Sequence, residues 1–322
     1  MATRKTTGGA LLAVLWLTAA LGAIAFSLAS TVRAEVDRAS TAVDGTRTYY
    51  LAQGAIERAI LYLNWATKEP TLPDGSRRYY SPGDPAILLG FPSGEARVEV
   101  IPEAGKLDVN HSPPEDLLRM LVYLHVPPDR AMDIVRGIIL WRTPAPDEKG
   151  ALFPSPTFRP HHASIEETEE LMMISGITPE LYYGGYDRNA EGQLIPHAGL
   201  ADCLSVFGSV DSVDANTAQP AVLAAIGLDP GAIAALVEHR RLMPFRKPGE
   251  LASFTQGGGP ASQRLRLGGK SIFTLRATAR LRVGKDQFSD LRRTVAATVK
   301  FDSDPDVPPA QILRWYDSTW IN

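Results

Sequence analysis

Few side chains in this sequence stand at spacings that support chemistry. Asp187-Arg188-Asn189-Ala190-Glu191-Gly192 offers oxygen ligands at alternate positions ahead of a glycine, as at the start of an EF-hand loop. The last position of that pattern is Ala198 instead of a bidentate glutamate, so the match stops halfway. Asp302, Asp304 and Asp306 also alternate, with no glycine turn behind them. Calcium is therefore the one cofactor the residues raise, with Asp187, Asn189 and Glu191 as candidate ligands; the competing reading of both segments is a solvated polar turn. His161-His162 lie side by side in a proline-rich stretch, without the spacing that sets two imidazoles on one helical face. Cys203 is the single cysteine; it forms no intramolecular disulfide and reads as a small apolar core residue. The sequence has no Gly-x-Ser-x-Gly, no His-Glu-x-x-His, no phosphate loop and no Cys-x-x-Cys. An enzyme is not expected.

What must be positioned is an apolar helix. Between Gly8 and Val32 no residue carries a charge, and Gly8-Gly9-Ala10-Leu11-Leu12-Ala13-Val14-Leu15-Trp16-Leu17 opens a run that continues to about Ser30. About twenty such residues, at about 1.5 Å each, cross a bilayer core. Arg4 and Lys5 precede the run, which leaves them cytoplasmic and sends the rest of the chain across. An ordinary secretory signal, cut after Val32-Arg33-Ala34, would have a shorter apolar core. A plain single-pass anchor is the other alternative.

The short leader and the glycine before the apolar helix resemble the type III signal of prepilins and pseudopilins. Gly-Ala-Leu-Leu-Ala-Val-Leu-Trp looks most like the mature start of the type II secretion minor pseudopilin K family. The resemblance implies that prepilin peptidase cuts beside Gly8 or Gly9, the two glycines leaving the bond open. A cut after Gly8 makes Ala13 position five of the mature chain; a cut after Gly9 makes it Val14. Most pilin-like subunits carry a glutamate there, which pairs with a neighbour's N-terminal amine; a carboxylate at that depth is costly when unpaired. The K subunit of the family lacks it too, as fits a subunit with no neighbour above it. The absence of a disulfide departs from disulfide-bearing members of that family.

Beyond the membrane run, Val36, Ala39, Val43, Tyr50, Ile56, Ala59, Ile60 and Leu63 keep helical spacing, which predicts one helix to about Trp65. Gly45 and Gly54 each cost about 1 kcal/mol against alanine there. A proline- and glycine-punctuated segment, Glu69 to Gly90, follows. Alternation predicts strands at Ala96–Ile101, Ser271–Val283, Arg293–Phe301 and Gln311–Trp315. Between them lies a helical block with an internal repeat: Leu107-Asp-Val-Asn-His-Ser-Pro-Pro-Glu-Asp-Leu-Leu118 matches Val213-Asp-Ala-Asn-Thr-Ala-Gln-Pro-Ala-Val-Leu-Ala224. Asn110 with Ser112, and Asn216 with Thr217, read as helix starters. Each copy continues as helix, proline-marked hairpin, helix, and a shorter hairpin spans Leu171–Leu181. The tails, Phe158 with Ser164-Ile-Glu-Glu and Phe245 with Pro248-Gly-Glu-Leu251, are alike in shape.

The expected fold is α+β: a pilin-like long N-terminal helix packed on an antiparallel sheet, with a large inserted all-α (helix-hairpin-helix, SAM-like) domain. Expected boundaries are a leader at 1–8, the membrane and spine helix at 9–66, the sheet at 67–107 and 265–322, and the insert at 108–264. By resemblance the function is that of a minor pseudopilin at the tip of the type II secretion pseudopilus, initiating assembly for export across the outer membrane. Its implied partners are the minor pseudopilins I and J, then H and the major pseudopilin G, together with prepilin peptidase and the bacterial inner membrane, the globular part being periplasmic. The insert's length would make it too bulky for a filament body. The alternative is a membrane-anchored helix-hairpin-helix DNA receptor with Arg240, Arg241, Arg246 and Lys247 as a basic flank. Against it stand Pro127-Pro128-Asp129 in one hairpin, Asp229 in the other, and a net charge of −3 with pI near 6.1. Nucleic acid is not an expected partner, and a type IV minor pilin with an unusual insertion is a third option.

Overall fold

The computed structural model describes residues 7–68, 72, 78–81, 83–143, 153, 162–189, 191–254, 260–268, 271–285, 287–302 and 306–317. The apolar run and the amphipathic stretch behind it form one helix, the spine, Thr7–Lys68. Every residue from 9 to 43 is exposed, and burial begins at Gly45. From there Thr48, Leu51, Ala52, Ala55, Ile56, Ala59, Leu63 and Ala66 are buried, the three-and-four spacing of a single helical stripe. Several members of the stripe are small, which lets the helix settle close to the strands beneath it. Gly45 packs against the Arg293 guanidinium, where an added Cβ would make only an ordinary 3.5 Å contact.

The strands beneath are β1 (Ala86–Phe91), β2 (Gly94–Pro102), β3 (Ile272–Gly284), β4 (Gln287–Phe301) and β5 (Ala310–Tyr316), in that order across one sheet. All neighbours are antiparallel. Val98 faces Ala277, which faces Val295. These residues, with Val100, Leu275, Ala279, Ala297 and Val299, form the inner face that meets the spine in one core. The period of two puts polar side chains on the other face. There Arg276 and Arg280 bond the carboxylates directly opposite, Glu99 at 2.7 Å and Glu95 at 2.6 Å. Thr274–Thr298 (3.1 Å) and Thr278–Thr294 (2.9 Å) pair across β3 and β4.

Strands β2 and β3 are neighbours in space, Pro102 facing Phe273, yet the whole insert runs between them. It has a separate core that includes Leu107, Leu117, Met120, Ile134, Ile138, Leu171, Leu200, Leu223, Leu236 and Leu265. Leu107 and Leu265, one on each flank, both belong to this core. The two helix pairs are Pro114–Tyr123 with Pro128–Arg142, and Pro220–Ala225 with Pro230–Leu242. All four helices begin on proline, whose missing amide costs nothing in a first turn.

The structure corrects several expectations. Ala86–Phe91 is a strand, although it falls largely within the segment read as punctuated loop. As an edge strand it buries only alternate residues, Ile87 and Leu89, and its continuous apolar run conceals that alternation. Asn110 and Asn216 cap no helix: the caps are Pro113 and Gln219, without a side-chain bond. The insert is predominantly helical but also carries a β-hairpin, Gly185–Arg188 with Leu194–His197. The span Leu171–Leu181 is a short 3-10 helix, Thr168–Met173, followed by a single α-turn, Pro179–Tyr183. Phe158, His161, Asp304 and most of residues 69–77 lie outside the described residues.

Candidate assembly surface

The largest chemical contrast in the molecule is the free half of the spine. Leu15, Trp16 and Phe26 are 64%, 72% and 78% exposed, and apolar side chains point outward all around the helix rather than along one stripe. Its most apolar window has a mean hydropathy of 2.2 and no burial. Exposing so much apolar surface to water is strongly unfavourable, by about 25 cal/mol per Å². Such a surface calls for lipid or for other apolar helices. Thr18 and Thr31 return their hydroxyl protons to the carbonyls of Leu15 (2.9 Å) and Ser27 (3.0 Å), so these polar groups are satisfied inside the helix itself. Gly8, Gly9 and Ala13 all lie in the first turns of this helix, and Ala13 is exposed.

The insert that sits above the sheet is held by the same devices in each repeat. Asn110 accepts from the Ile165 amide (2.7 Å) and donates to its carbonyl (3.0 Å). Asn216 does the same to Phe245, at 2.9 Å in both directions. Arg142 donates to the carbonyls of Val109 and Ser112, and Arg240 to those of Ala215 and Ala218. Beyond the clasped residue the tails stay in step. The Glu170 carboxylate accepts from the Glu166 and Glu167 amides, and Glu250 from those of Arg246 and Lys247. Leu171 and Leu251 are then buried. Ile165 through Leu171 thus corresponds to Phe245 through Leu251, a different register from the one the tails' proline and serine residues suggest. The signal was present in the sequence as Asp-x-Asn in both copies and Glu-Leu five residues past Ile165 and Phe245.

The other candidate sites are placed as follows. Asp187, Asn189 and Glu191 lie on or at the turn of the exposed β-hairpin. The Asn189 side chain is engaged there, accepting from the Gln193 amide at 2.7 Å and donating to its side chain at 3.1 Å. Among the described residues no three His, Cys, Asp or Glu side chains come together as a metal-holding group. His162 bonds the Leu140 carbonyl at 3.0 Å. Cys203 is fully buried, and burial pushes its thiol well above the ordinary range, so it is neutral and unreactive. In the second hairpin Asp229 accepts from the amides of Gly231 and Ala232, both at 3.0 Å. Its carboxylate thus takes two of the first amides of that helix, the groups a helix-hairpin-helix receptor would offer a phosphate. Arg240 is likewise committed to carbonyls within its own repeat.

A cleft of about 600 Å³ separates the outer face of the sheet from the insert. Several of its charged side chains are engaged by neighbours. Glu103, buried, accepts from the Thr274 hydroxyl at 2.6 Å. Lys106 donates to the Ala201 carbonyl at 3.1 Å. Glu167 forms an ion pair with Arg314, joining the insert to β5. Desolvation nevertheless raises the Glu167 carboxyl, with Arg314 opposing it. The arrangement is that of a joint between two bodies.

No protein-family model matches the sequence. No curated protein matches it either. Among solved structures, the fold is similar to a chain of the crystal structure of the GspK–GspI–GspJ complex from the enterotoxigenic Escherichia coli type 2 secretion system. The TM-score is 0.54 at 13% identity, over 86% of this chain and 98% of that one. The shared architecture is the pilin-like one: a long N-terminal helix on an antiparallel sheet, with further helices.

Proposed function

We propose that this chain is a minor pseudopilin of the K kind, seated at the tip of a type II secretion pseudopilus and initiating its assembly. The observation that carries the reading is a helix bare from residue 9 to 43 and uncharged as far as Val32, at the base of a sheet domain enlarged by an insert with its own core. The helix holds the subunit in the bacterial inner membrane with the globular part periplasmic. On extraction, the same surface packs against the helices of neighbouring subunits. The direct partners are the minor pseudopilins I and J, with H and the major pseudopilin G below; the fold likeness to a chain solved in complex with GspI and GspJ supports that choice. The mechanism is assembly, without catalysis.

Prepilin peptidase prepares the subunit by cutting beside Gly8 or Gly9, and methylation of the new amine follows. Mature position five, Ala13 after a cut behind Gly8 or Val14 after a cut behind Gly9, offers no carboxylate to a subunit above it, as suits a terminal place. Calcium at Asp187, Asn189 and Glu191 would need ligands beyond these three. Intact mass of the chain recovered from membranes, with and without the peptidase, tests the reading. A peptidase-dependent start at Gly9 or Ala10 is expected. A start at Glu35 would make the chain an ordinary exported protein and end the assembly account.

A further inference from the structure

Where the spine leaves the apolar run it becomes amphipathic, and its apolar face is turned away from its own sheet. Val32, Val36, Ala39, Val43, Thr46 and Tyr50 recur at alternating spacings of four and three. All are exposed, the valines by 54%, 61% and 50% and Tyr50 by 63%. Thr46 returns its hydroxyl proton to the Ala42 carbonyl at 3.0 Å, so its polar atom is satisfied within the helix. At about 100° per residue these side chains form one stripe, on the far side of the helix from Thr48, Ala52, Ala55 and Ala59, which are buried toward the sheet. The charges of the stretch, Arg33, Glu35, Asp37, Arg38, Asp44 and Arg47, all lie off the stripe. Two pairs of them close on each other, Arg38 with Glu35 at 2.8 Å and Arg47 with Asp44 at 3.6 Å.

Spacings of four and three make the seven-residue repeat of a coiled coil, with Val36, Val43 and Tyr50 at a and Val32, Ala39 and Thr46 at d. Lipid does not cover this seam, because Arg33 and Glu35 end the apolar run before Val36. The sheet domain does not cover it either, because it holds the opposite face. A second helix fits, and the sequence suits a second copy of this chain. Two copies anchored with one topology lie parallel, and in register each apolar layer meets itself. The flanking g and e positions then set Leu28 against Arg33, Glu35 against Ser40 and Ala42 against Arg47, so no like charges meet. The uncharged run lets the pairing continue into the bilayer without two like charges in lipid. There the same repeat positions are Thr18, Gly22, Ala25 and Ala29, small enough for close approach. Valine at a favours two strands. The two sheet domains, on the outer faces, stay clear of each other.

We propose that the chain is stored in the membrane as a parallel, in-register homodimer zipped along this seam. The pair separates when the subunit enters a filament, where helices of other subunits take the same face. The inference rests on the reading of the spine as a membrane anchor. The test is oxidative cross-linking of the full chain, reconstituted as the sole protein into vesicles at high lipid excess. Val36→Cys and Val43→Cys report on the seam, and Thr41→Cys on the opposite face of the helix. Cys203, fully buried, stays out of the reaction. In a separate sample, an environment-sensitive dye on Leu17→Cys reports on the anchor.

The expected result is disulfide-linked dimers from Val36→Cys and Val43→Cys and none from Thr41→Cys. Adding Val43→Asp to the Val36→Cys chain puts two carboxylates in one buried layer, and should slow cross-linking by about tenfold or more. A Leu17 dye in lipid with no dimer at the seam positions, or with Thr41→Cys cross-linking as readily as they do, would overturn the inference and leave the anchor standing. A Val43→Asp chain that cross-links unimpaired would overturn it too. A Leu17 dye outside the bilayer would overturn both the dimer and the anchor.

Discussion

At the scale of single residues, the determinants of the insert are polar and paired. Asn110 and Asn216 each tie a distant backbone segment to the start of a helix pair through one donor and one acceptor. Replacing Asn216 by alanine leaves the Phe245 amide and carbonyl without those partners in a half-buried place, and should cost about 2 kcal/mol. Chemical denaturation of the variant tests this, and Asn110→Ala should behave alike; a loss within measurement error at both would contradict the clasp. The two asparagines were visible in the sequence as part of a repeat, but their role was not. Asparagine ahead of a helix resembles an N-cap, and only the prolines that actually open the helices exclude it. The contact each asparagine makes instead is nonlocal, with Asn110 and Ile165 far apart in sequence, and no short-range pattern encodes it.

At the scale of elements, the spine and the sheet were the most legible parts. A long uncharged run, a three-and-four stripe behind it and three long alternating strands leave little freedom, because each period assigns the buried face. The edge strand β1 was lost because a strand packed on one side at a sheet's margin has a weak pattern. The close approach of spine and sheet depends on small residues on both surfaces: Ala52, Ala55 and Ala59 above, Ala277, Ala279 and Ala297 below. Ala55→Phe should force the helix off the sheet and destabilise the fold by about 1–3 kcal/mol or more. Thermal unfolding of the detergent-solubilised chain would show it. An unchanged midpoint would mean that the helix–sheet interface is looser than its buried residues imply.

At the scale of the whole molecule, two cores are joined by a polar seam, and the insert enters and leaves through strands that are already neighbours. Excising it between Pro102 and Ile272 and closing the gap with a turn of about four residues converts β2 and β3 into a hairpin. The shortened chain should keep the spine–sheet core and unfold cooperatively; collapse of that core would show that the two bodies fold as one. The insert's existence was legible from its repeat, whereas its arrangement above the sheet was not. The seam is made of isolated pairs such as Glu167 with Arg314 and Glu103 with Thr274, whose partners come from separate parts of the chain.

The account turns on a place at the filament tip, where one copy suffices however long the filament grows. Pseudopili sheared from cells overproducing the major subunit can be sorted by length, and the copies of this chain counted in each fraction against the major pseudopilin. The account predicts a constant number of copies per filament, so that the ratio to the major subunit falls as length rises. A ratio that stays fixed across lengths would place the chain in the filament body and contradict it.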